Sequence, residues 1–316
     1  MKTGKPKTSA KEEKTETKLL RETQIKTAAE IIKKGGTVAF RTETVYGLGA
    51  DATNVTAVEK IFAAKKRPAV NPLIVHFASL ESLFQKFPNI DNTTKQVLQK
   101  VEKAITVILP RPQWIPLITT GGLETVAVRV PACAFSRKFI KECGVPLAAP
   151  SANSSTRPSP TRWQDVHNDL AGRIDAIICG AQTKIGVEST VIKILDNGQI
   201  QVLRLGGVNT AQLSKKTGMT VKYLPTNESP GTQFKHYAPA CPLWLTRDPN
   251  SVRSARAKVI RRSDLGPNPA KNLFAALRDA ENCDFIVAEV FPDIPKYQTV
   301  NERLARASAG WYNEKE

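Results

Sequence analysis

Apolar side chains recur at helical spacing near the start of the chain. Ile25, Ala28, Ala29, Ile31 and Ile32 fall on one face, and Gly35 and Gly36 stop the helix they predict. Residues 37–40 then read as a strand. Asn54 suits the N-cap of a second helix whose Val58, Ile61 and Phe62 point inward, and the run Lys65-Lys66-Arg67-Pro68 ends it, because proline cannot continue the helical ladder. The run PLIVHF predicts the next strand. Further on, AITVILP, TVAVRVP, VPLAAP, IDAIICG, STVIKIL and IQVLRL predict strands, while FSRKFIKEC and RWQDVHNDLAG predict helices. Several strands follow one another with no helix between them. The pattern therefore predicts an α/β fold, a twisted mixed sheet with helices packed on it, rather than a strict βαβ array.

The two ends of the chain depart from this pattern. Residues 1–22 form a basic Lys/Glu/Thr tail with too little apolar content to fold, so disorder is expected there. Residues 23–224 hold the main domain. Across residues 225–241, Pro225, Pro230, Gly231 and Pro239 exclude regular structure, which predicts a linker. Beyond it, residues 242–316 read as strand (PLWLT), helix (KNLFAALRDAEN), strand (CDFIVAEVF) and helix (NERLARASAGW), with a basic stretch, SVRSARAKVIRR, after the first strand. A unit of about 75 residues has a marginal core on its own, so this small α/β domain is expected to lean on the first.

Composition fits two domains: 316 residues is about twice the ~150 of a typical domain, and 41% hydrophobic content rules out wholesale disorder. No window approaches the ~18 consecutive apolar residues of a membrane span, and the N-terminus lacks the apolar core of a secretory signal. A soluble, cytoplasmic protein with no membrane partner is expected. Cys133, Cys143, Cys179, Cys241 and Cys283 are odd in number and form no CxxC pair, so they read as buried thiols of a reducing compartment. With only His76, His167 and His236 scattered along the chain, no metal-ligand set is expected, and a metal would arrive with a substrate. The net charge of +17 favours anionic partners such as nucleotides, phosphates or RNA. The first 18 residues carry six Lys against three Glu, so most of that excess lies in the folded part.

Candidate chemistry clusters in a few segments. Gly47-x-Gly49-x-x-Ala52 superficially matches a dinucleotide fingerprint, but no acidic residue follows where a ribose would need one. The hydroxyls of Thr42, Thr44 and Tyr46 beside those glycines suit a turn that binds a small polar ligand. Lys65 and Arg67, two residues apart at a helix end, can converge on one polyphosphate, although the helix dipole alone also favours cations there. The stretch APSANSSTRPSPT crowds Ser151, Asn153, Ser154, Ser155 and Ser159 after a strand end, where ligands of α/β sheets sit. Arg129, inside the apolar strand TVAVRVP, needs a carboxylate or a ligand anion as partner. Glu188, Ser189 and Thr190 stand at a strand entry, and Arg204 ends another strand. The absence of GxSxG and of a GxxxxGK[ST] loop disfavours serine hydrolases and P-loop NTPases.

Taken together, these segments resemble the YrdC-like family of L-threonylcarbamoyladenylate synthases, in its long form with a linker and an extra C-terminal domain. The likeness runs over residues 24–240. It rests on TETVYGLGA, AKKRP with NPLIVH, TVAVRVP, APSANSS with PSPT, GVESTV, LRLGG and SPGTQFKHYAP, in the family's order. The resemblance implies a mixed sheet around a basic cavity, where L-threonine, bicarbonate and ATP with Mg2+ give threonylcarbamoyl-AMP and pyrophosphate. The product serves to modify the adenosine next to the anticodon of tRNA, with tRNA and downstream threonylcarbamoyl transferase proteins as possible partners.

Carried over by motif, the family's KxR and SxN signature falls on Lys65, Arg67, Ser151 and Asn153. ATP contacts would be Lys65, Arg67, Asn71, Thr125, Ser151, Ser159 and Arg204, with Tyr237 of the linker reaching the nucleotide as part of a lid. Threonine contacts would be Thr44, His76, Arg129, Ser189 and the backbone of Ala149. Arg41 and Lys66 stand where the family usually has proline and glycine, and both are expected to add charge beside the cavity. The C-terminal domain is expected to be shorter than the long form's. The competing reading is a relative that binds RNA or nucleotides without catalysis. A carbamoyl-transfer domain of the hydrogenase-maturation type would bring acylphosphatase and zinc-finger segments that this sequence lacks.

Overall fold

The computed structural model describes residues 16–101, 104–226, 228–229 and 236–313. The expected disordered tail does not extend to residue 22. Strand β1 (Lys18–Arg21) pairs in parallel with a strand near residue 177, and a 3-10 turn (Glu22–Gln24) leads into helix α1 (Ile25–Lys33). Leu20 is the buried residue that anchors this edge strand, which is why a polar-looking KLLR segment joins the sheet. Residues 1–15 lie outside the described region.

Helix α1 packs Ile25, Ala28, Ala29 and Ile32 inward, as the spacing requires, while Ile31 is only partly covered. Strand β2 (Val38–Arg41) turns through residues 42–45 into β3 (Tyr46–Asp51). Gly47 and Gly49 therefore sit in a strand, and the turn lies before them at residues 42–45. A Cβ on Gly49 would lie 2.8 Å from the Phe40 ring, so the glycine is there to let a buried aromatic lie against the backbone. Helix α2 (Val55–Lys65) starts at Asn54, whose side chain accepts from the Ala57 amide, and ends at Lys66 in the left-handed conformation (φ 52°).

The rest of the main domain continues as β4 (Ile74–His76), α3 (Leu80–Lys86), α4 (Asn92–Lys100), β5 (Ile105–Pro110), β6 (Thr125–Arg129), α5 (Ala134–Cys143) and β7 (Leu147–Ala148). It then runs through α6 (Trp163–Leu170), β8 (Ala176–Cys179), β9 (Thr190–Ile194), β10 (Ile200–Arg204), α7 (Thr210–Thr217) and β11 (Val221–Tyr223). Among the described residues the strands form one mixed sheet in the order β1-β8-β2-β3-β7-β4-β6-β5-β9-β10-β11. The order is far from the chain order. Segments distant in sequence, β3, β7, β4 and β6, are thus laid side by side, with β9 one strand further on, beyond β5.

The second domain is a parallel four-stranded sheet, β13-β14-β12-β15, built from β12 (Leu243–Thr246), β13 (Ala257–Ile260), β14 (Phe285–Glu289) and β15 (Gly310–Trp311). Helices α8 (Pro269–Asp279) and α9 (Gln298–Ala307) cover it. Strand β13 lies inside the basic stretch, where its alternating Lys258 hid it from a hydrophobicity reading. The domain leans on the first as expected: its apolar cluster takes in Val45 and Val187 of the main domain. Arg278 of α8 pairs with Asp169 at 2.8 Å, both nearly fully buried. The cysteines depart from expectation, because only Cys143 is buried and the other four are partly exposed, all as free thiols. Among the described residues no helix is long and apolar enough to cross a membrane.

Candidate active site

A hollow is lined by six segments or pairs of segments. The 42–45 turn contributes Thr44, the end of α2 contributes Lys65 and Arg67, and β4 and β6 contribute His76 and Arg129. The 149–159 segment brings Ala149, Ser151, Asn153, Arg157 and Ser159, and the entry to β9 with the end of β10 brings Glu188, Ser189 and Arg204. His236 and Tyr237 close the far side from the linker. Twelve of the fourteen residues expected in the site thus meet at one cavity. Asn71 and Thr125 are not on its wall.

Each of those two has another position. Asn71 is buried beneath Arg67, whose Nη2 donates to its Oδ1 and to the Pro72 carbonyl, so Asn71 orients an arginine that does face the cavity. Thr125 opens β6 opposite Pro110.

Lys65 is 1% exposed, and its ammonium donates to the carbonyls of Ser151 and Asn153, each at 2.5 Å. A third acceptor, Asn153 Oδ1, lies at 3.5 Å. Burial, followed by the neighbouring Arg67, pushes its pKa well below the ordinary lysine value. The geometry makes Lys65 first a clamp on the 151–153 loop, a demand that the helix dipole alone would not create. Arg67 is likewise depressed by burial, a penalty that an anion in the cavity would relieve.

Arg129 is not the unpaired cation its strand suggested. Its Nη2 donates to Glu43 Oε1 at 2.5 Å and to Thr44 Oγ1 at 2.9 Å, and both charged side chains are under 8% exposed. Burial raises the Glu43 carboxyl, but the Arg129 charge and hydrogen bonds outweigh it and hold it below the usual carboxylate range. Sequence reading missed Glu43 although it sits inside the TETVYG motif, because its partner is 86 positions away. Thr44 is further tied to Thr42, Oγ1 to Oγ1, at 2.8 Å. Ser189 Oγ lies 2.7 Å from Thr106 Oγ1, and Arg204 Nη2 donates to the Ser189 carbonyl at 2.9 Å. His76 and His236 are both held neutral, pushed down to about 3 chiefly by burial, with Arg129 and Arg67 respectively adding to the effect.

The two residues expected to add charge beside the cavity do not. Arg41 pairs with Glu22 and lies over the Phe135 ring, and Lys66 is exposed. Lys66 holds the left-handed turn that glycine would hold, with its amide donating to the Ala63 carbonyl and that of Arg67 to Phe62, so the loop keeps its course. Arg157 and Arg303, which sequence reading did not single out, also belong to the site's surroundings. Arg157 lines the cavity and pairs with Glu281 at 2.6 Å, while Arg303 reaches Glu188 from the second domain.

Among the described residues, five cations, Lys65, Arg67, Arg129, Arg157 and Arg204, therefore share the wall with one carboxylate, Glu188. Such a site gathers anions. Its hydroxyls and neutral imidazoles can orient them, and among the described residues none on the wall forms a nucleophile–base pair with an orienting acid.

Known proteins place the chain in a family. The Sua5–YciO–YrdC family model, described as "Telomere recombination", matches residues 30–206, and that described as "Threonylcarbamoyl-AMP synthase, C-terminal domain" matches residues 199–309. The threonylcarbamoyl-AMP synthase of Pyrococcus abyssi is 37% identical over 92% of this chain and 95% of its own length. That of Bacillus subtilis is 38% identical over 91% and 93%. A crystal structure of P. abyssi Sua5 complexed with L-threonine superposes with a TM-score of 0.83 at 36% identity, covering 92% of this chain and 98% of that one. The chain belongs to the threonylcarbamoyl-AMP synthase family.

Proposed function

We propose that the protein is an L-threonylcarbamoyladenylate synthase, an enzyme that makes threonylcarbamoyl-AMP and pyrophosphate from L-threonine, bicarbonate and ATP. The observation that carries this reading is the buried excess of cations around a hydroxyl-lined cavity in a chain of this family. The deprotonated amine of threonine adds to bicarbonate and water leaves, giving a carbamate. A carbamate oxygen then attacks the α-phosphorus of ATP, and pyrophosphate departs. Both partners of that second step are anions, so the site must offset their repulsion and hold them in line. No protein nucleophile is required. Arg67 and Arg204, with Ser151, Asn153 and Ser159, suit the triphosphate side, and Lys65 keeps the 151–153 loop in place. Thr44, His76, Ser189 and the Ala149 backbone suit threonine. Arg129, with one nitrogen already on Glu43, presents the rest of its guanidinium as the seat of the threonine carboxylate.

Mg2+ is treated as part of the substrate, carried by the phosphate oxygens. Glu188 on the wall is engaged by Ser159 and Arg303, and Glu43 by Arg129. Among the described residues no group of three or more His, Cys, Asp or Glu side chains could hold a metal. In this reading the catalytic domain begins with β1 rather than at residue 23 and runs to 224, the linker spans 225–241 and the second domain 242–316. The linker acts as a lid in this reading, since His236 and Tyr237 already lie on the cavity wall. Its Lys235 falls outside the described residues. The product feeds threonylcarbamoyladenosine formation in tRNA, which places the reaction in the cytoplasm beside the transferases that use it.

The test is whether the purified protein releases pyrophosphate from ATP only when threonine and bicarbonate are both present. ATP or RNA binding with no threonine-dependent pyrophosphate would refute catalysis and leave the binding-only alternative.

A further inference from the structure

Helix α9 of the second domain turns Thr299 and Arg303, one helical turn apart, toward the main domain. Thr299 Oγ1 donates to the Gly206 carbonyl at 2.9 Å and Arg303 Nη2 to the Leu205 carbonyl at 2.7 Å. Gly206 itself lies against the Glu188–Thr190 backbone, where a Cβ would come within 2.3 Å of the Ser189 carbonyl carbon, so the carbonyls that α9 grips adjoin the segment carrying Glu188. Arg303 Nε reaches further, donating to Glu188 Oε2 at 2.9 Å, and its Nη1 meets Glu302. Its guanidinium carbon lies 4.7 Å from the centroid of the Tyr237 ring, which itself stacks on Phe274. The second domain thereby touches one residue of the cavity wall by charge and another by its ring.

Arg303 is fully buried. A clamp between domains does not need a charge, since apolar side chains of similar volume often serve at least as well. What needs a charge here is Glu188, the carboxylate on a wall that would receive a triphosphate. Its other oxygen accepts from Ser159 Oγ, a residue of the nucleotide side. Left uncompensated, that carboxylate would repel the phosphates or swing onto Arg204, whose charge already lies within its reach.

We propose that Arg303 is a positioning residue for ATP: by neutralising Glu188 and holding it against Ser159, and by bracing the Tyr237 ring, it keeps the wall attractive to the triphosphate. This rests on reading the cavity as an ATP site. The role differs from a structural clamp because it acts through one carboxylate and falls on one substrate.

The experiment uses the full chain with Arg303→Met, Arg303→Lys, Glu188→Gln and the Arg303→Met/Glu188→Gln double variant. The Kd of a non-hydrolysable ATP analogue is measured by calorimetry, alongside KM for ATP and for threonine and the Tm. Arg303→Met is expected to weaken analogue binding and raise KM for ATP about tenfold or more, with KM for threonine within about twofold, the scale of coupling between contacting charges. Arg303→Lys should recover most of the affinity. Glu188→Gln in the Arg303→Met background should also recover at least about threefold, because no charge is left to neutralise. Analogue affinity within about twofold of wild type in Arg303→Met would overturn the proposal, as would an equal loss with and without Glu188. If Arg303→Met fails to fold, Arg303→Lys and the double variant decide instead: a loss of analogue affinity of about tenfold or more in both would overturn the proposal, because neither leaves an uncompensated charge on Glu188, whereas near-wild-type affinity in both supports it. A wild type that binds the analogue but releases no pyrophosphate refutes the synthase reading while leaving Arg303 testable by binding. A wild type that binds no analogue removes both.

Discussion

Glu43→Gln isolates the buried pair beneath the proposed threonine seat. The substitution keeps shape and one acceptor oxygen but leaves Arg129, 4% exposed, without its counter-charge. Breaking a buried pair by removing one partner costs about 3–5 kcal/mol, and the retained amide oxygen places this case near the lower end, about 3 kcal/mol. For a domain of roughly 200 residues that is about 2–4 °C per kcal/mol, hence a Tm lower by about 6–12 °C. The pH dependence follows from the depressed Glu43 carboxyl, which burial raises but Arg129 lowers further. As pH falls, the unfolded chain takes up the proton first. The pair's contribution is therefore whole above about pH 4.5 and is lost as pH drops through the lower folded value. The gap in Tm between wild type and variant should be constant from pH 6 to 8 and close below about pH 4. Threonine adds a second signature, because its carboxylate can stand in for the missing one. Scanning calorimetry with and without threonine should show a larger ligand-induced rise in Glu43→Gln than in wild type. A variant Tm within about 2 °C of wild type at pH 7, or an identical threonine shift in both, would refute the reasoning.

Arg67→Ala should raise KM for ATP about tenfold or more with little change in Tm, since a charge-assisted phosphate contact is worth about 1.5–3 kcal/mol; unchanged KM at limiting ATP would remove Arg67 from the site. Lys65→Met should lower both ATP affinity and stability, the latter by about 2–5 kcal/mol in urea titration, because the buried carbonyls of Ser151 and Asn153 lose their donor. Full stability in that variant would show that the clamp is not needed. Lys66→Gly should leave activity intact and stabilise by up to about 1 kcal/mol, since φ of 52° strains a side chain that glycine lacks; destabilisation would mean that the lysine has a partner.

Sequence patterns carried far in this chain where the signal is local. The α1 face, the Asn54 cap, the stop at Lys65 and the apolar strands all depend on neighbours within a few residues. Strand β1 escaped because one buried residue, Leu20, carries it, and β13 because it is basic. The glycines of β3 misled because low strand propensity is visible in sequence, whereas the Phe40 ring that Gly49 accommodates is not. The site was legible wherever a motif bundled its residues. Its supports were not: Glu43 answers Arg129 from 86 positions away, and Arg303 answers Glu188 from 115.

The pairing of β1 with β8 also sets an order in time. Lys18 meets Ala176, so β1, once it has left the ribosome, waits for 158 more residues before its partner exists. At about 5–20 residues per second that is roughly 8–30 s, during which the segment beside α1 has no edge to join. Arg303 emerges later still, and with it the last charge that Glu188 meets. A nascent chain halted before residue 176 should leave residues 18–21 open to a protease, and one released after it should protect them. On this schedule the molecule gains its fold well before it gains a finished binding cavity.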